Sequence, residues 1–207
     1  MSSFNLYDFY VKGGFFVHPI LLCSILSISI FIERVWNMRR SKVLPNPILP
    51  EVKSLVRDRK LADAVNLCKL TNSSMARIFI VALENAGKKR GHLREMVEEA
   101  GIREAIYLER HLEGLATIAG ISTLLGLLGT ISGMISIFGV ISKEAVVNPT
   151  TLAGGISEAL NTTAFGIVVA IPTTVFYKYL AGKAGRMIVE MEENSSHIVD
   201  ILKGEEG

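Results

Sequence analysis

Charge is almost absent from one long part of this chain. Between Gly114 and Tyr177 only Lys143, Glu144 and Glu158 are charged. A soluble domain usually carries about 25% charged residues along its length, whereas this chain has 20% charged and 49% hydrophobic residues and a mean hydropathy of +0.38. Because a soluble fold would have to bury the whole uncharged stretch, the composition favours an integral membrane protein.

Three stretches are long and apolar enough to cross a membrane as helices. A hydrocarbon core of about 30 Å needs roughly 20 apolar residues in a helix, and the stretches 14–36, 113–141 and 152–181 meet that requirement. A cleaved signal peptide has its positive charge before the apolar run. Here only Lys12 precedes the first run, and Arg34 with further basic residues follows it. We therefore expect the first stretch to be a retained membrane anchor.

The basic residues predict which side of the membrane each segment faces. Lysines and arginines near the ends of spans favour the cytoplasm, and of the 22 in this chain only Lys12 and Lys143 lie outside when the N-terminus is external. This orientation predicts an external N-terminus at 1–13, a cytoplasmic region at 37–112, an external loop at 142–151 and a cytoplasmic C-terminal helix at 182–207.

The cytoplasmic segments have helical patterns, so the whole chain is predicted to be an all-α integral membrane protein. Helices are predicted at about 51–70 and 74–86, and a single helix is predicted from about 92 to 142. The third span continues beyond the membrane to about Leu202. Two long helices would thus extend into the cytoplasm as a stalk. The basic turn at 87–91 is either a solvated loop or a contact for anionic lipid headgroups.

Small residues form a stripe along both the second and the third span. No hydrophobic force brings helices together inside lipid, so close packing depends on small residues that let the backbones approach. We predict that the following glycines pack the two helices together: Gly126, Gly129, Gly133, Gly155 and Gly166. Hydroxyl groups recur on the same stripes. Each hydroxyl either bonds the carbonyl four residues earlier in its own helix or contributes to a polar path.

Glu158 is the only acid in the interior of these two spans. A carboxylate in hydrocarbon is costly unless it binds a proton, a partner or a water-filled path. Asn161 and Thr162 lie three and four residues later, on the same helix face. We interpret the three residues as part of a path for protons or ions. The alternative is that Glu158 reaches the outer interface and only fixes the depth of the helix.

No sequence pattern indicates an enzyme, a cofactor, a metal or a nucleic acid. The four histidines are scattered without metal-ligand spacing, and the chain contains no phosphate-binding loop, nucleophile elbow or zinc-protease motif. A net charge of +2 is too small to indicate nucleic-acid binding, and the two cysteines form no disulfide framework. We therefore expect a non-enzymatic protein without a cofactor.

Three motifs in the second and third spans are characteristic when taken together. They are LLGLLGTISGM at 124–134, LAGGISEAL at 152–160 and TAFGIVVAIP at 163–172. Together they resemble the MotA/TolQ/ExbB proton-channel family, and they are closest to its ExbB and TolQ branch. The chain departs from the family at Ser122-Thr123, where Ala-Pro is common. A proline kink expected there is therefore absent or replaced by hydroxyl bonds to the backbone.

The resemblance implies a subunit of a complex in the inner membrane of a Gram-negative bacterium, with a periplasmic N-terminus and a cytoplasmic C-terminus. Five copies would form a ring whose second and third spans line a pore, with a single-span partner of the ExbD or TolR type inside. Proton flow would then drive TonB-dependent outer-membrane transport or Tol-Pal type envelope maintenance, through a TonB- or TolA-like protein. By motif position, Glu158 matches the family's third-span glutamate, and Thr130 and Thr163 match two hydroxyls of its polar ring.

Two questions stay open at this point. Asn161 stands where the family often has an apolar residue, so the coupling ion is either H⁺ or Na⁺, and the choice between the ExbB and TolQ branches depends on the partner. The second hypothesis for function is an oligomeric membrane scaffold that anchors a single-span partner without conducting ions. Such a scaffold would tolerate the substitution Glu158→Gln, whereas an ion-driven motor would not.

Overall fold

The computed structural model describes residues 14–45, 48–143 and 148–204. Within these ranges the chain forms eight helices and no strand, which confirms the predicted all-α fold. The helices are α1 (Val17–Asn37), α2 (Arg40–Val43), α3 (Ile48–Arg57), α4 (Leu61–Thr71), α5 (Ser74–Glu84), α6 (Arg90–Glu109), α7 (Leu112–Ile141) and α8 (Pro149–Lys203). The predicted external N-terminus at 1–13 lies outside the described residues, as do 144–147 and 205–207.

Three stretches of helix are long and apolar enough to cross a membrane. They are Val17–Asn37, Arg90–Ile141 and Pro149–Lys203, whose most apolar windows have mean hydropathies of 1.7, 2.1 and 1.6. The second and third predicted spans fall within these stretches, whereas the first, 14–36, begins three residues before Val17. Only 17–28% of each window is buried inside a single chain. Because such large apolar surfaces are unfavourable in water, they are suited to contact with lipid or with other membrane helices.

The described residues divide into two compact units. The apolar unit consists of the described parts of Met1–Ile32 and His111–Lys178, and the charged unit consists of those of Glu33–Arg110 and Tyr179–Gly207. The apolar unit contains most of α1, all of α7 and the first part of α8. The division therefore follows the change from apolar to charged sequence along the chain.

The charged unit has its own hydrophobic core. The core includes the buried side chains of Val52, Val56, Ala64, Cys68, Phe79, Ala82, Leu93, Val97, Leu180, Met191 and Ile198. Ser73 caps α5, and its hydroxyl accepts a hydrogen bond of 3.1 Å from the Ala76 N–H. Arg77 on α5 donates to both carboxylate oxygens of Glu104 on α6, at 2.6 and 2.5 Å. This hydrogen bond raises the pKa of Arg77 above its ordinary value, and the ion pair joins the two helices.

The third span continues without interruption into the charged unit, as the sequence predicts, because α8 extends to Lys203. Its buried side chains there lie at helical spacing and include Leu180, Ala184, Met187, Met191 and Ile198. At the end of α8, the Lys203 ammonium donates to the carbonyl of Ala86 at 2.9 Å and also to that of Lys88. The last turn of α8 is thus attached to the turn between α5 and α6.

The single helix predicted at 51–70 is wrong, because the structure contains α3 and α4 in that range. The Lys60 N–H donates to the Leu55 carbonyl at 2.8 Å. The Arg59 N–H donates to the Val56 carbonyl at 3.0 Å. These two bonds form the Schellman pattern that ends many helices. Glycine usually occupies its left-handed position, but here Arg59 does so with a φ of 60°, so the residue type gives no sign of the helix end.

The single helix predicted from 92 to 142 is also wrong, because it breaks at two residues. Arg110 is extended, with a ψ of 136°, and His111 is left-handed, with a φ of 67°. In an unbroken helix the Tyr107 carbonyl would accept a bond from residue 111. It accepts instead from the buried Arg34 guanidinium at 3.3 Å, so a side chain from α1 satisfies a carbonyl in the last turn of α6.

Candidate functional site

The α7 and α8 helices pack with two glycine backbones in direct contact. A Cβ on Gly166 would lie 2.6 Å from the Ser122 carbonyl oxygen and 2.9 Å from the Gly126 Cα. A Cβ on Gly126 would lie 3.2 Å from the Gly166 Cα. Real Cβ atoms essentially never come within 3.0 Å of such neighbours. Position 166 therefore has no room for any side chain.

The other three predicted packing glycines also lie between α7 and α8. The pairs are Gly129 with Thr162, Gly133 with Ala159 and Gly155 with Ile137. A Cβ on Gly133 would lie 2.7 Å from the Ala159 Cβ, and one on Gly155 would lie 2.8 Å from the Ile137 Cγ1. Residue numbers rise on one helix as they fall on the other, so the two helices run antiparallel. The structure thus brings all five predicted glycines to one interface.

A pair of threonine hydroxyls lies in the same interface. The Thr163 hydroxyl donates to the Gly126 carbonyl at 2.9 Å and contacts the Thr130 hydroxyl directly. Thr130 is also 3.4 Å from the Ala159 carbonyl. Both threonine side chains are partly buried. The two hydroxyls that the sequence places on different helices therefore form one polar cluster, and its hydrogen bonds cross from α7 to α8.

Glu158, Asn161 and Thr162 lie close together on α8, but they do not form one hydrogen-bonded group. The Thr162 hydroxyl donates to the backbone carbonyl of Glu158 at 3.0 Å. Thr162 is buried, Asn161 is half-buried and Glu158 is exposed in the single chain. The Glu158 side chain therefore extends from the surface of the helix pair, while the hydroxyls lie within it.

The Glu158 carboxyl packs against Gly14, just before α1 begins. Its Oε1 occupies the space that a Cβ on Gly14 would fill, and its Cδ would lie 3.3 Å from that Cβ. Gly14 has a φ of +67°, a left-handed conformation that glycine adopts at little cost. The sequence contains no signal for this contact, because the two residues are far apart along the chain.

Two further contacts hold α1 against α8. The buried Ser27 and Thr173 hydroxyls are hydrogen-bonded at 2.8 Å. The rings of Phe31 and Phe176 stack with their centroids 4.0 Å apart. The sequence does not identify Ser27 and Thr173 as partners. All three apolar helices therefore contribute to one packed unit.

The described residues contain no group of three or more His, Cys, Asp and Glu side chains that could hold a metal ion. In the described apolar stretches 114–142 and 149–177, the available chemistry is that of the Glu158 carboxyl and several hydroxyls. Hydroxyls both donate and accept hydrogen bonds, and a carboxyl does so when it is protonated. Such groups are suited to binding and passing a proton.

Residues 70–193 match the sequence model described as the MotA/TolQ/ExbB proton channel family. This range contains the five packing glycines and all five residues predicted for the ion path. The chain is 32% identical over 190 residues to a biopolymer transport protein of Synechocystis described as ExbB-like 3, and the alignment covers 91% of this chain and 90% of that protein.

Two further relatives extend the comparison to other bacteria. Biopolymer transport protein exbB1 of Vibrio cholerae is 26% identical over 200 residues, which cover 92% of this chain and 86% of that protein. Biopolymer transport protein ExbB of Salmonella typhimurium is 42% identical over 79 residues, which cover 38% of this chain and 32% of that protein. The identity to the Salmonella protein over its short aligned segment is thus higher than the identity to the Vibrio protein over nearly the full length.

Proposed function

This chain belongs to the MotA/TolQ/ExbB proton channel family, and from that premise we propose that it is the ExbB-like subunit of a proton-driven complex in the bacterial inner membrane. The complex couples proton flow to work at the outer membrane, either TonB-dependent transport or Tol-Pal type envelope maintenance. Its three apolar helices and its family make the chain a multi-pass membrane protein.

The observation that carries this proposal is Glu158 on an apolar helix, about one and a half turns from a cluster of hydroxyls between α7 and α8. Thr163 lies five residues further along α8, which is about 7.5 Å of helix rise, and it is paired with Thr130. A carboxyl takes up and releases protons, and hydroxyls relay hydrogen bonds. We assign proton binding to Glu158 and a polar lining to Thr130, Thr163, Thr162 and Asn161.

The proposed complex contains several copies of this chain, five by family resemblance, around a single-span partner of the ExbD or TolR type. Support comes from the exposed surface of the single chain, because Glu158 is exposed there and so are large apolar side chains of α7 and α8. The most exposed of these include Leu124, Ile135, Leu160 and Val168, each with 61–67% of its surface accessible. A carboxylate facing lipid is costly. Other copies and the partner would cover Glu158, and a TonB- or TolA-like protein would receive the work.

The proposed orientation places the N-terminus in the periplasm and the C-terminus in the cytoplasm. Basic residues near the ends of spans favour the cytoplasmic side. In the charged unit they include Arg34, Arg39, Arg40, Lys183 and Arg186. The short connection between α7 and α8 has one basic residue, Lys143. The charged unit is therefore assigned to the cytoplasm.

The test compares Glu158→Gln with the same substitution at Glu113, an exposed acid in the first turn of α7. The protein is purified with its single-span partner, reconstituted in vesicles, and assayed for proton flux with a pH-sensitive dye. We expect Glu158→Gln to lower the flux by about tenfold or more, as loss of a proton-transfer group does. Glu113→Gln should conduct like the wild type.

The mass of the purified complex separates a conduction defect from an assembly defect. We expect both variants to retain the wild-type mass, because glutamine has nearly the size of glutamate. Wild-type flux in Glu158→Gln would overturn the proton-binding role. If the wild-type complex also assembled without conducting, the oligomeric scaffold would be the better description of its function.

A further inference from the structure

The start of α1 provides the surface on which the Glu158 carboxyl lies. A Cβ on Gly14 would clash with the Glu158 Oε1, and it would lie 3.3 Å from the Cδ and 3.5 Å from the Cγ of the same side chain. The outer half of the glutamate side chain therefore covers the Gly14 Cα. This contact is possible only because residue 14 has no side chain.

The backbone at Gly14 is held in place by the first turn of α1. Its carbonyl accepts a hydrogen bond from the Val17 N–H at 3.4 Å, and its φ of +67° is in the left-handed region. The beginning of a helix carries partial positive charge, which favours a nearby carboxylate. The position and the electrostatics of Gly14 thus both suit the group that lies against it.

The hydroxyls near Glu158 in the sequence are engaged elsewhere. The Thr162 hydroxyl bonds the Glu158 backbone carbonyl rather than the carboxyl. The Thr163 hydroxyl bonds the Gly126 carbonyl and the Thr130 hydroxyl. These hydroxyls therefore do not hold the carboxyl, whereas the backbone of Gly14 lies directly against it.

We propose that Gly14 is a positioning residue for Glu158, so that α1 forms part of the proton-binding site and does more than separate the pore helices from lipid. This inference rests on the proposed function of Glu158. A side chain at position 14 would displace the carboxyl rather than unfold the protein, because the atoms it meets are at the free end of a flexible side chain. The displaced carboxyl would then lie away from the proton path.

The test is a double-mutant cycle of Gly14→Ala and Glu158→Asp, with proton flux measured in vesicles that contain the assembled complex. Aspartate is shorter by one methylene, about 1.5 Å, so it makes room for the added Cβ. We expect each single variant to lower the flux by about tenfold or more. The double variant should conduct several-fold better than Gly14→Ala alone, because the two changes compensate. If the double variant instead loses proton flux by the product of the two single-variant factors, the inference is overturned.

Two glycine variants control for effects unrelated to the contact. Gly204→Ala adds a Cβ at another left-handed glycine, with a φ of +74° and no described atom within 4 Å of the added group. Gly154→Ala adds one in open space near the start of α8. We expect both to conduct like the wild type. A loss in Gly204→Ala as large as that in Gly14→Ala would assign the effect to backbone strain and overturn the positioning role.

A crosslink tests the contact without depending on conduction. In the variant Gly14→Cys with Glu158→Cys, the sulfur of residue 158 takes the place of Cγ, which is 3.5 Å from a Cβ on residue 14. In a disulfide the sulfur of one cysteine lies about 3 Å from the Cβ of the other, so a shift of about 0.5 Å is enough to form the bond. We expect mild oxidation to join the two residues within one chain, as detected by peptide mass. Absence of the crosslink overturns the inference. If the crosslink forms in the cysteine variant but the wild-type complex does not conduct, only the proposed function is contradicted.

Discussion

The effect of adding a methyl group to a closely packed glycine depends on which atom lies opposite. The Gly166 Cα faces the backbone of Ser122 and Gly126, which cannot move without shifting a whole helix. The Gly14 Cα faces the end of a glutamate side chain, which can rotate away. Both glycines are tightly packed, but the first supports the fold and the second supports the site.

We expect Gly166→Ala to destabilise the protein by about 1–3 kcal/mol, the usual cost of overfilling a packed interface. The added Cβ would lie 2.6 Å from the Ser122 carbonyl oxygen, so the helices must separate. The measurement is thermal unfolding in detergent. Gly154→Ala is the matched control on the same helix, because its Cβ would meet no described atom within 4 Å. Equal unfolding temperatures for the two variants would contradict the packing role of Gly166.

Helix ends in this protein depend on residues that do not usually end helices. Arg59 and His111 both take left-handed conformations, with φ of 60° and 67°. The apolar side chains of Leu108, Leu112 and Leu115 are all buried and continue at helical spacing across the second break. Periodicity therefore predicts a continuous helix there, and only the local backbone shows otherwise. Histidine is one of the residue types that adopt this conformation more readily than most.

The break before α7 can be tested by substitution at His111. We expect His111→Gly to leave stability unchanged or to raise it by up to about 1 kcal/mol, because glycine adopts the left-handed conformation at little cost. We expect His111→Val to lower stability by about 1–2 kcal/mol, because a β-branched residue is strained there. Thermal unfolding in detergent gives both values. The opposite order would show that residue 111 is helical in the folded protein.

The functional residues that can be predicted from the sequence are those that stand out by their chemistry or by their regular spacing. Glu158 is conspicuous because it is an acid in an apolar run, and the five packing glycines are conspicuous because they recur at helical steps. Gly14 has no such property, since its role arises only when the chain brings it against residue 158. The same holds for Ser27, whose buried hydroxyl acquires its partner Thr173 through packing. Contacts between distant parts of the chain need the structure.

At the scale of the whole molecule, the uneven distribution of charge determines which solvent suits each of the two units. The apolar unit exposes large hydrocarbon side chains, and the charged unit contains ion pairs such as Arg40 with Glu190 and Arg90 with Asp200. Lipid is a suitable solvent for the first unit and water for the second. The side of the membrane on which the charged unit lies then follows from its basic residues, and that assignment can be measured directly.

The orientation can be tested with single cysteines and a membrane-impermeant maleimide in spheroplasts. Ser142 follows α7 and Ser41 lies on α2, and both are exposed. The native Cys23 and Cys68 are buried, and burial raises the pKa of the Cys68 thiol to about 11, so little of it is the reactive thiolate at neutral pH. We expect Ser142→Cys to be labelled in intact spheroplasts.

The variant Ser41→Cys should react only after the membrane is permeabilised, because the charged unit is assigned to the cytoplasm. Labelling of both cysteines after permeabilisation shows that each is accessible in the folded protein. If Ser41→Cys reacted first and Ser142→Cys required permeabilisation, the orientation would be inverted. Glu158 lies ten residues into α8 from its first residue, Pro149, counting both, so an inverted chain would place the proposed proton-binding carboxyl near the cytoplasmic end of the span. Proton entry from the periplasm would then have to cross most of the membrane before reaching it.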